Sequence, residues 1–435
     1  MRIRLYNARI LTMEKNRPVF EGEVWVTNEK IACVAEKKEL EELKDSFPKI
    51  AWDVQIDCKG NLLMPGFKNA HTHSAMTLLR SYADDLSLQD WLYQKVFPIE
   101  SRLTDDAIYW GSVLAIMEYL SGGITAGFDM YMRCEHTARA SLDTGFRMVF
   151  CGSVNDFTGS VPQMEEDYYR YNDEKADLLS YQLGFHAEYT TSRNLMEGIA
   201  QLAGKYKKPV YVHCSETKRE VEECREKTGM TPIAYMDSLG LFENGGGLFH
   251  GVHLDEADFD IMKKKKICVV TNPASNLKLA SGIAPVKTYL EKGIPVAIGT
   301  DGPASNNCLD MFKEMFLVTG LQKVVHNDPE AVPAADVLKM ATVNGAYAMG
   351  LDNCDILAEG KYADLIMIDL MQPNMQPIQN IEKNVVYSAS KLNVKMTMIN
   401  GRAVYQNGKF KIGESVEDIY ENANRIAERI LDGKE

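Results

Sequence analysis

The stretch Pro65-Gly66-Phe67-Lys68-Asn69-Ala70-His71-Thr72-His73 decides the fold and locates the chemistry. Side chains alternate faces along a strand, so two histidines one residue apart point the same way only on an extended segment. His71 and His73 therefore form a preset pair of donors at a strand end. The apolar run Asn61-Leu62-Leu63-Met64 leads into the pair, and Pro65-Gly66 permits a sharp entry, as expected where a buried strand emerges. Such a pair alone is a weak mark of a metal site, and its weight comes from the rest of the chain.

Seven further strand-like runs follow, alternating with helical patterns: 124–129, 147–151, 181–186, 209–213, 247–250, 267–271 and 295–301. Eight β/α units predict a (β/α)8 TIM barrel, assigned to residues 59–359. Before it, Glu23-Val24-Trp25-Val26 and Ile31-Ala32-Cys33-Val34 flank a turn at Thr27-Asn28-Glu29-Lys30 and read as a hairpin, and Lys37 to Asp45 reads as an exposed helix. After it, residues 363–369 and 394–399 read as strands, with Asn400-Gly401 turning into Arg402-Ala403-Val404-Tyr405. Neither end buries much alone, so residues 1–58 and 360–411 are expected to form one discontinuous β-sandwich. Residues 412–435 are expected to be a packing helix, opened by Ser415 with Asp418 three residues on.

A chain of 435 residues is too long for one small core, in keeping with a barrel plus a smaller domain. Its 48 basic and 61 acidic residues leave a net charge of -13, which disfavours nucleic acid as a partner. No apolar run is long enough to span a bilayer, and Met1-Arg2-Ile3-Arg4-Leu5-Tyr6 reads as a strand rather than a signal peptide. The nine cysteines are scattered without a Cys-x-x-Cys pair, which fits reduced thiols in a cytoplasmic enzyme. Barrel enzymes of this size often associate, which leaves a homo-oligomer open.

Of only eight histidines, His71, His73, His186, His213, His250 and His253 lie at or just beyond strand ends, where barrel active sites are assembled. His71, His73, His213 and Asp301 offer three imidazoles and a carboxylate, a set suited to one divalent ion, zinc first, with iron or manganese as alternatives. Such an ion lowers the pKa of a bound water to about 7, the basis of hydrolytic chemistry. Glu216, three residues past His213, is placed to be the acid/base group, against the plainer reading of a solvated loop carboxylate. His253 is a candidate to orient the water, with His250 a competitor for that role, and Asp301 is a candidate to take the water's proton.

Together, Pro-Gly-x-x-x-x-His-x-His, His213 with Glu216, His253, the loop Thr271-Asn272-Pro273-Ala274-Ser275-Asn276 and Gly299-Thr300-Asp301-Gly302 resemble the amidohydrolase superfamily. Within it, the chain is similar to the 5-methylthioadenosine/S-adenosylhomocysteine deaminases. The resemblance implies one metal on His71, His73, His213 and Asp301, Glu216 as proton shuttle and His253 facing the water. It also implies Trp91 packing on the substrate, Glu100 binding ribose hydroxyls and His186 as a further substrate contact. The expected reaction is hydrolytic deamination of a 6-aminopurine nucleoside: 5-methylthioadenosine, adenosine, 5'-deoxyadenosine or S-adenosylhomocysteine. The loop 151–163 has no Arg or Lys, a departure from members that hold the amino-acid end of S-adenosylhomocysteine with basic side chains. Alternatives are a deaminase or chlorohydrolase acting on another N-heterocycle such as guanine or a triazine, or a catalytically silent metal-binding scaffold.

Overall fold

The computed structural model describes residues 1–42, 51–173 and 178–431. Eight parallel strands form the barrel: β1 (Phe67–Thr72), β2 (Ile124–Asp129), β3 (Arg147–Cys151), β4 (Leu179–Ala187), β5 (Val210–Cys214), β6 (Gly246–His250), β7 (Ile267–Thr271) and β8 (Val296–Ile298). Each pairs with its neighbour in chain order. Most are buried along their whole length, because helices cover the outside while side chains fill the inside, and so they read as continuous apolar runs. Phe128 plugs the interior, with ring centroids 4.9 Å from Tyr211 and 5.7 Å from Phe249.

The seam between β8 and β1 closes just past the short last strand. Asp301 N–H donates to His71 O at 3.0 Å, and Thr300 N–H donates to Asn69 Oδ1 at 2.8 Å. Asn69 Nδ2 returns a bond of 2.7 Å to Thr300 Oγ1.

The termini meet in one nine-stranded sheet with a continuous hydrogen-bonded path, folded around a core that includes Leu5, Val24, Ile31, Leu365 and Met396. Arg2–Ile10 pairs antiparallel with Phe20–Thr27 and parallel with Val54–Asp57 and Leu62–Pro65. Leu62–Pro65 then pairs antiparallel with Leu365–Ile368. This moves the boundary expected at residue 59: the apolar run before the histidines is a strand of the terminal sheet, and the barrel begins only at Phe67. Gly66 makes the sharp change of sheet possible, because a Cβ there would lie 2.1 Å from Thr125 Cγ2. The hairpin turns at Asn28 and at Asn400-Gly401 are formed, with Thr27 opposite Lys30 and Ile399 opposite Arg402. The helix expected over Lys37 to Asp45 is present as Lys37–Glu42, and its remainder lies outside the described residues.

A helix over Val416–Leu431 is capped by Ser415, whose Oγ accepts the Asp418 N–H at 3.1 Å. It buries Ile419, Ala423, Ile426 and Ile430. The last three of these share a core with Met76, Leu88 and Trp91. Among the described residues no helix is long and apolar enough to cross a membrane.

Arg147, at the start of β3, joins the two domains. Its Nε donates to Asp364 Oδ2 at 2.6 Å, its Nη2 donates to Asp364 Oδ1 at 3.2 Å, and the Asn400 N–H donates to the same Oδ1 at 2.8 Å. Both charges are buried, so removing one strands the other, at a cost of about 3–5 kcal/mol. Asp364→Ala is therefore expected to lower the thermal midpoint markedly, and the apolar pair Arg147→Met/Asp364→Leu to lower it less. Scanning calorimetry tests this, and an unchanged midpoint in Asp364→Ala would count against the domain link.

Candidate active site

The side chains of His71, His73, His213 and Asp301 converge at the C-terminal mouth of the barrel, with one donor atom from each lying within 4.8 Å of the others. His71 Nε2 is 3.1 Å from His213 Nε2 and 3.4 Å from Asp301 Oδ1, and His73 Nε2 is 3.2 Å from the same oxygen. Backbone carbonyls select the histidine tautomers. His73 Nδ1 donates to Met130 O at 2.5 Å and His213 Nδ1 donates to His186 O at 2.7 Å, so each Nε2 is left as a donor atom for a metal. Phe249 stacks beneath His71 at 3.8 Å and fixes its plane.

The electrostatics suit a cation. Burial holds His71 neutral, down to about 3, and holds His213 well below the usual imidazole range. Burial alone would raise Asp301, yet hydrogen bonds with His71 and His73 hold it far below the ordinary carboxylate range. For His73, burial lowers the imidazole but Asp301 more than offsets it, so the net direction is upward. Neutral nitrogens and an ionised carboxylate with matched reach fit one divalent ion.

The other oxygen of Asp301, Oδ2, accepts from Ser275 Oγ at 2.6 Å and from Ser305 Oγ at 2.8 Å. No sequence pattern marks Ser305, whereas Ser275 lies in the segment 271–276 that resembles the amidohydrolases.

Glu216 is buried beside this group. Its Oε1 accepts from Ser281 Oγ at 3.1 Å, and its Oε2 lies 3.6 Å from His250 Nε2. Burial raises its carboxyl, partly opposed by His250. Glu220 holds the loop in place: its carboxylate accepts the N–H groups of Ser215 and Glu216 at 2.6 and 2.8 Å.

The two candidates for the water-facing histidine part company here. His250 lines the cavity, its Nδ1 donating to Asn276 Oδ1 at 2.8 Å, which turns Nε2 toward Glu216. His253 is not part of the cavity wall, and its Nε2 donates to Ser281 O at 2.7 Å. The cause is a reversal of the chain. His250 and Gly251 both have positive φ, 73° and 53°, and the N–H groups of Val252 and His253 both donate to Ser215 O at 2.9 Å. Of the two candidates, His250 is the one the geometry brings to the cavity beside Glu216, a placement His253 does not share. His253 reaches the site through Ser281, whose hydroxyl donates to Glu216.

Trp91, Glu100 and His186 all line the same cavity as His73, His213, Glu216 and Asp301. On a regular α-helix, at about 100° per residue, positions nine apart fall on opposite sides. Here Trp91 and Glu100 flank a π-helical turn at Leu92–Val96, in which the Phe97 N–H bonds to Leu92 O, and the under-wound segment presents both to the cavity. Pro98 accounts for the turn: its ring clashes with a carbonyl four residues back and it has no N–H to give. Glu100 Oε1 accepts from Tyr131 Oη at 2.7 Å, and burial pushes its carboxyl up to about 7 despite that donor.

Ser153, Asn155 and Thr158 line the cavity's far side, and among the described residues its wall holds no Arg or Lys. Arg133 and Arg170 line a neighbouring recess that shares Tyr131, Met132, Ser153 and Thr158 with the cavity. Both are engaged there, Arg133 with Asp105 Oδ1 at 2.8 Å and Arg170 with Glu166 Oε1 at 2.7 Å.

A model of the amidohydrolase family matches residues 62–404. The chain is 38% identical to a 5-methylthioadenosine/S-adenosylhomocysteine deaminase of Caldanaerobacter subterraneus subsp. tengcongensis, with 100% of both chains covered. It is 40% identical to a protein of the same name from Dictyoglomus thermophilum, covering 88% of this chain and 91% of that one. Among solved structures it is similar to an adenosine deaminase from Xanthomonas campestris with bound zinc, with a TM-score of 0.92 and 32% identity, covering 99% of this chain and 98% of the other.

His73 and Asp301 belong to the cluster of candidate metal donors and His253 does not, so His73→Ala and Asp301→Ala are each expected to lower zinc retention after dialysis at least about tenfold, while His253→Ala leaves it unchanged. Metal content measured by atomic emission checks this, and equal loss in His253→Ala would contradict the placement.

Proposed function

The chain belongs to the amidohydrolase family, and from that premise we propose that it removes the 6-amino group of purine nucleosides by hydrolysis, giving the 6-oxopurine nucleoside and ammonia. One observation supports this reading above the others: a single cavity is lined by His73, His213 and Asp301 of the donor set, with His71 clustered behind them, and by Glu216 together with Trp91 and Glu100. The first group suits chemistry on a ring carbon, and the second suits an aromatic base joined to a diol.

His71, His73, His213 and Asp301 would hold a divalent ion, zinc by preference, which would supply the Lewis acidity that activates water near C6. Glu216 takes a proton from that water and delivers it to the ring nitrogen beside C6. Burial raises the Glu216 carboxyl, which favours its holding a proton between taking it and delivering it. His250, with its Nδ1 proton held by Asn276, orients the attacking water through Nε2. Asp301 takes the second proton, which leaves with ammonia when the C6–N bond breaks. Trp91 packs against the base, Glu100 accepts from the ribose hydroxyls, and His186 contacts the sugar side.

The wall near Ser153, Asn155 and Thr158 offers polar groups but no cation, so a neutral 5' position, as in adenosine, 5'-deoxyadenosine or 5-methylthioadenosine, fits better than the carboxylate of S-adenosylhomocysteine. We place the enzyme in the cytoplasm, since all nine cysteines are free thiols.

Ammonia release from these four nucleosides tests the reading, and absence of turnover on every one by the zinc-loaded protein would end it. Glu216→Gln is expected to keep its metal and lose at least about 100-fold in kcat. Glu100 supplies a pH test. Its carboxyl is protonated below about 7, and donors from a diol favour the anion, so binding below that pH must expel a proton. KM for nucleosides is therefore expected to fall as pH rises from 6 to 7 and then level off, with the slope gone in Glu100→Gln. A pH-independent KM in the unmodified protein would remove Glu100 from the ribose site.

A further inference from the structure

We propose that Glu314 is a positioning residue for the carboxylate of Asp301, acting through Ser275 and Ser305; the inference rests on reading His71, His73, His213 and Asp301 as a metal centre. Glu314 is fully buried in the first turn of the helix Met311–His326 and does not line the cavity. Its two oxygens hold two different segments of the barrel mouth. Oε2 accepts the Ala274 N–H at 3.0 Å, in the short helix Pro273–Lys278 that follows β7, and Oε1 accepts from Asn306 Nδ2 at 2.8 Å, on the loop after β8.

Ala274 precedes Ser275 and Asn306 follows Ser305, and those are the two hydroxyls that donate to Asp301 Oδ2, at 2.6 and 2.8 Å. Asn306 Nδ2 also donates to Thr300 O at 2.7 Å, next to Asp301 in the chain. One buried carboxyl therefore sets the separation of two serines that between them pin one oxygen of Asp301. Pinning Oδ2 stops the carboxylate from rotating and leaves Oδ1 facing His71 and His73. A plain helix-capping role would require only the Ala274 arm.

Glu314→Gln tests the inference, because an amide has one accepting oxygen and turns an N–H donor toward the second N–H, so one arm is lost. In chelator competition, zinc retention is expected to fall about tenfold, with kcat falling by a similar factor and KM holding within about twofold. On a Ser275→Ala/Ser305→Ala background the same substitution is expected to change retention less than about twofold, since its route to Asp301 is already gone. Unchanged retention in folded Glu314→Gln overturns the proposal, as does a tenfold loss that persists on the serine-free background. Should Glu314→Gln not fold, Asn306→Ala removes a single arm and enters the same cycle. If the unmodified protein deaminates no nucleoside, the functional reading fails, while the retention measurements still decide the role of Glu314.

Discussion

The N–H of Asp301 donates to the carbonyl of His71, and the carboxylate of Asp301 faces the Nε2 atoms of His71 and His73. The first and last strands of the barrel are thus sewn together by the residues that form the donor set, and barrel closure and assembly of the set are one geometric event. The eighth strand is only three residues long, so this seam is short of ladder bonds and leans on Asn69, Thr300 and Asp301 instead. A divalent ion held by β1, β5 and the end of β8 would tie those strands in the folded state alone, and linkage then makes it a stabiliser of the barrel.

Much of this architecture was legible because buried parallel strands write themselves as apolar runs, and because scarce histidines stood at their ends. Two features were hidden for a common reason. The run Leu62-Leu63-Met64 is as apolar as any barrel strand, and only pairing with Leu365–Ile368 shows which sheet owns it. Likewise Ser275 and Ser305 look like any loop serines until the fold brings both to one oxygen. Pattern along a chain reports burial and period, while partnership across the chain is set by closure of the whole.

The histidine exchange has a local cause. His250, Ser215 and Asp301 are non-glycine residues with φ of 73°, 54° and 59°, and each stands at or just past the end of a barrel strand. Left-handed backbone at such residues is uncommon and reverses the chain abruptly, which is why counting along Phe249-His250-Gly251-Val252-His253 misjudges which ring faces inward. Strain of that kind persists where surrounding bonds over-determine it. Here those bonds include the Ser215 carbonyl, which takes two N–H groups, and Tyr289 Oη, which donates to Gly251 O at 2.5 Å. Trp91 and Glu100 make the same point on a helix, where a single wide turn moves a side chain to a face that regular periodicity denies it.

The wall that carries Trp91 shares its core with Ala423, Ile426 and Ile430, and the terminal sheet needs strands from before and after the barrel. During synthesis, therefore, the first two histidines of the donor set leave the ribosome early, while the apolar side of their pocket stays uncovered until the helix Val416–Leu431 has followed. Vectorial folding, one domain after another, is closed to this topology. The nascent chain must instead wait with an open barrel edge and an unfinished sheet while some three hundred and fifty residues are translated between the two histidines and that helix, about 20–70 s at elongation rates of about 5–20 residues per second.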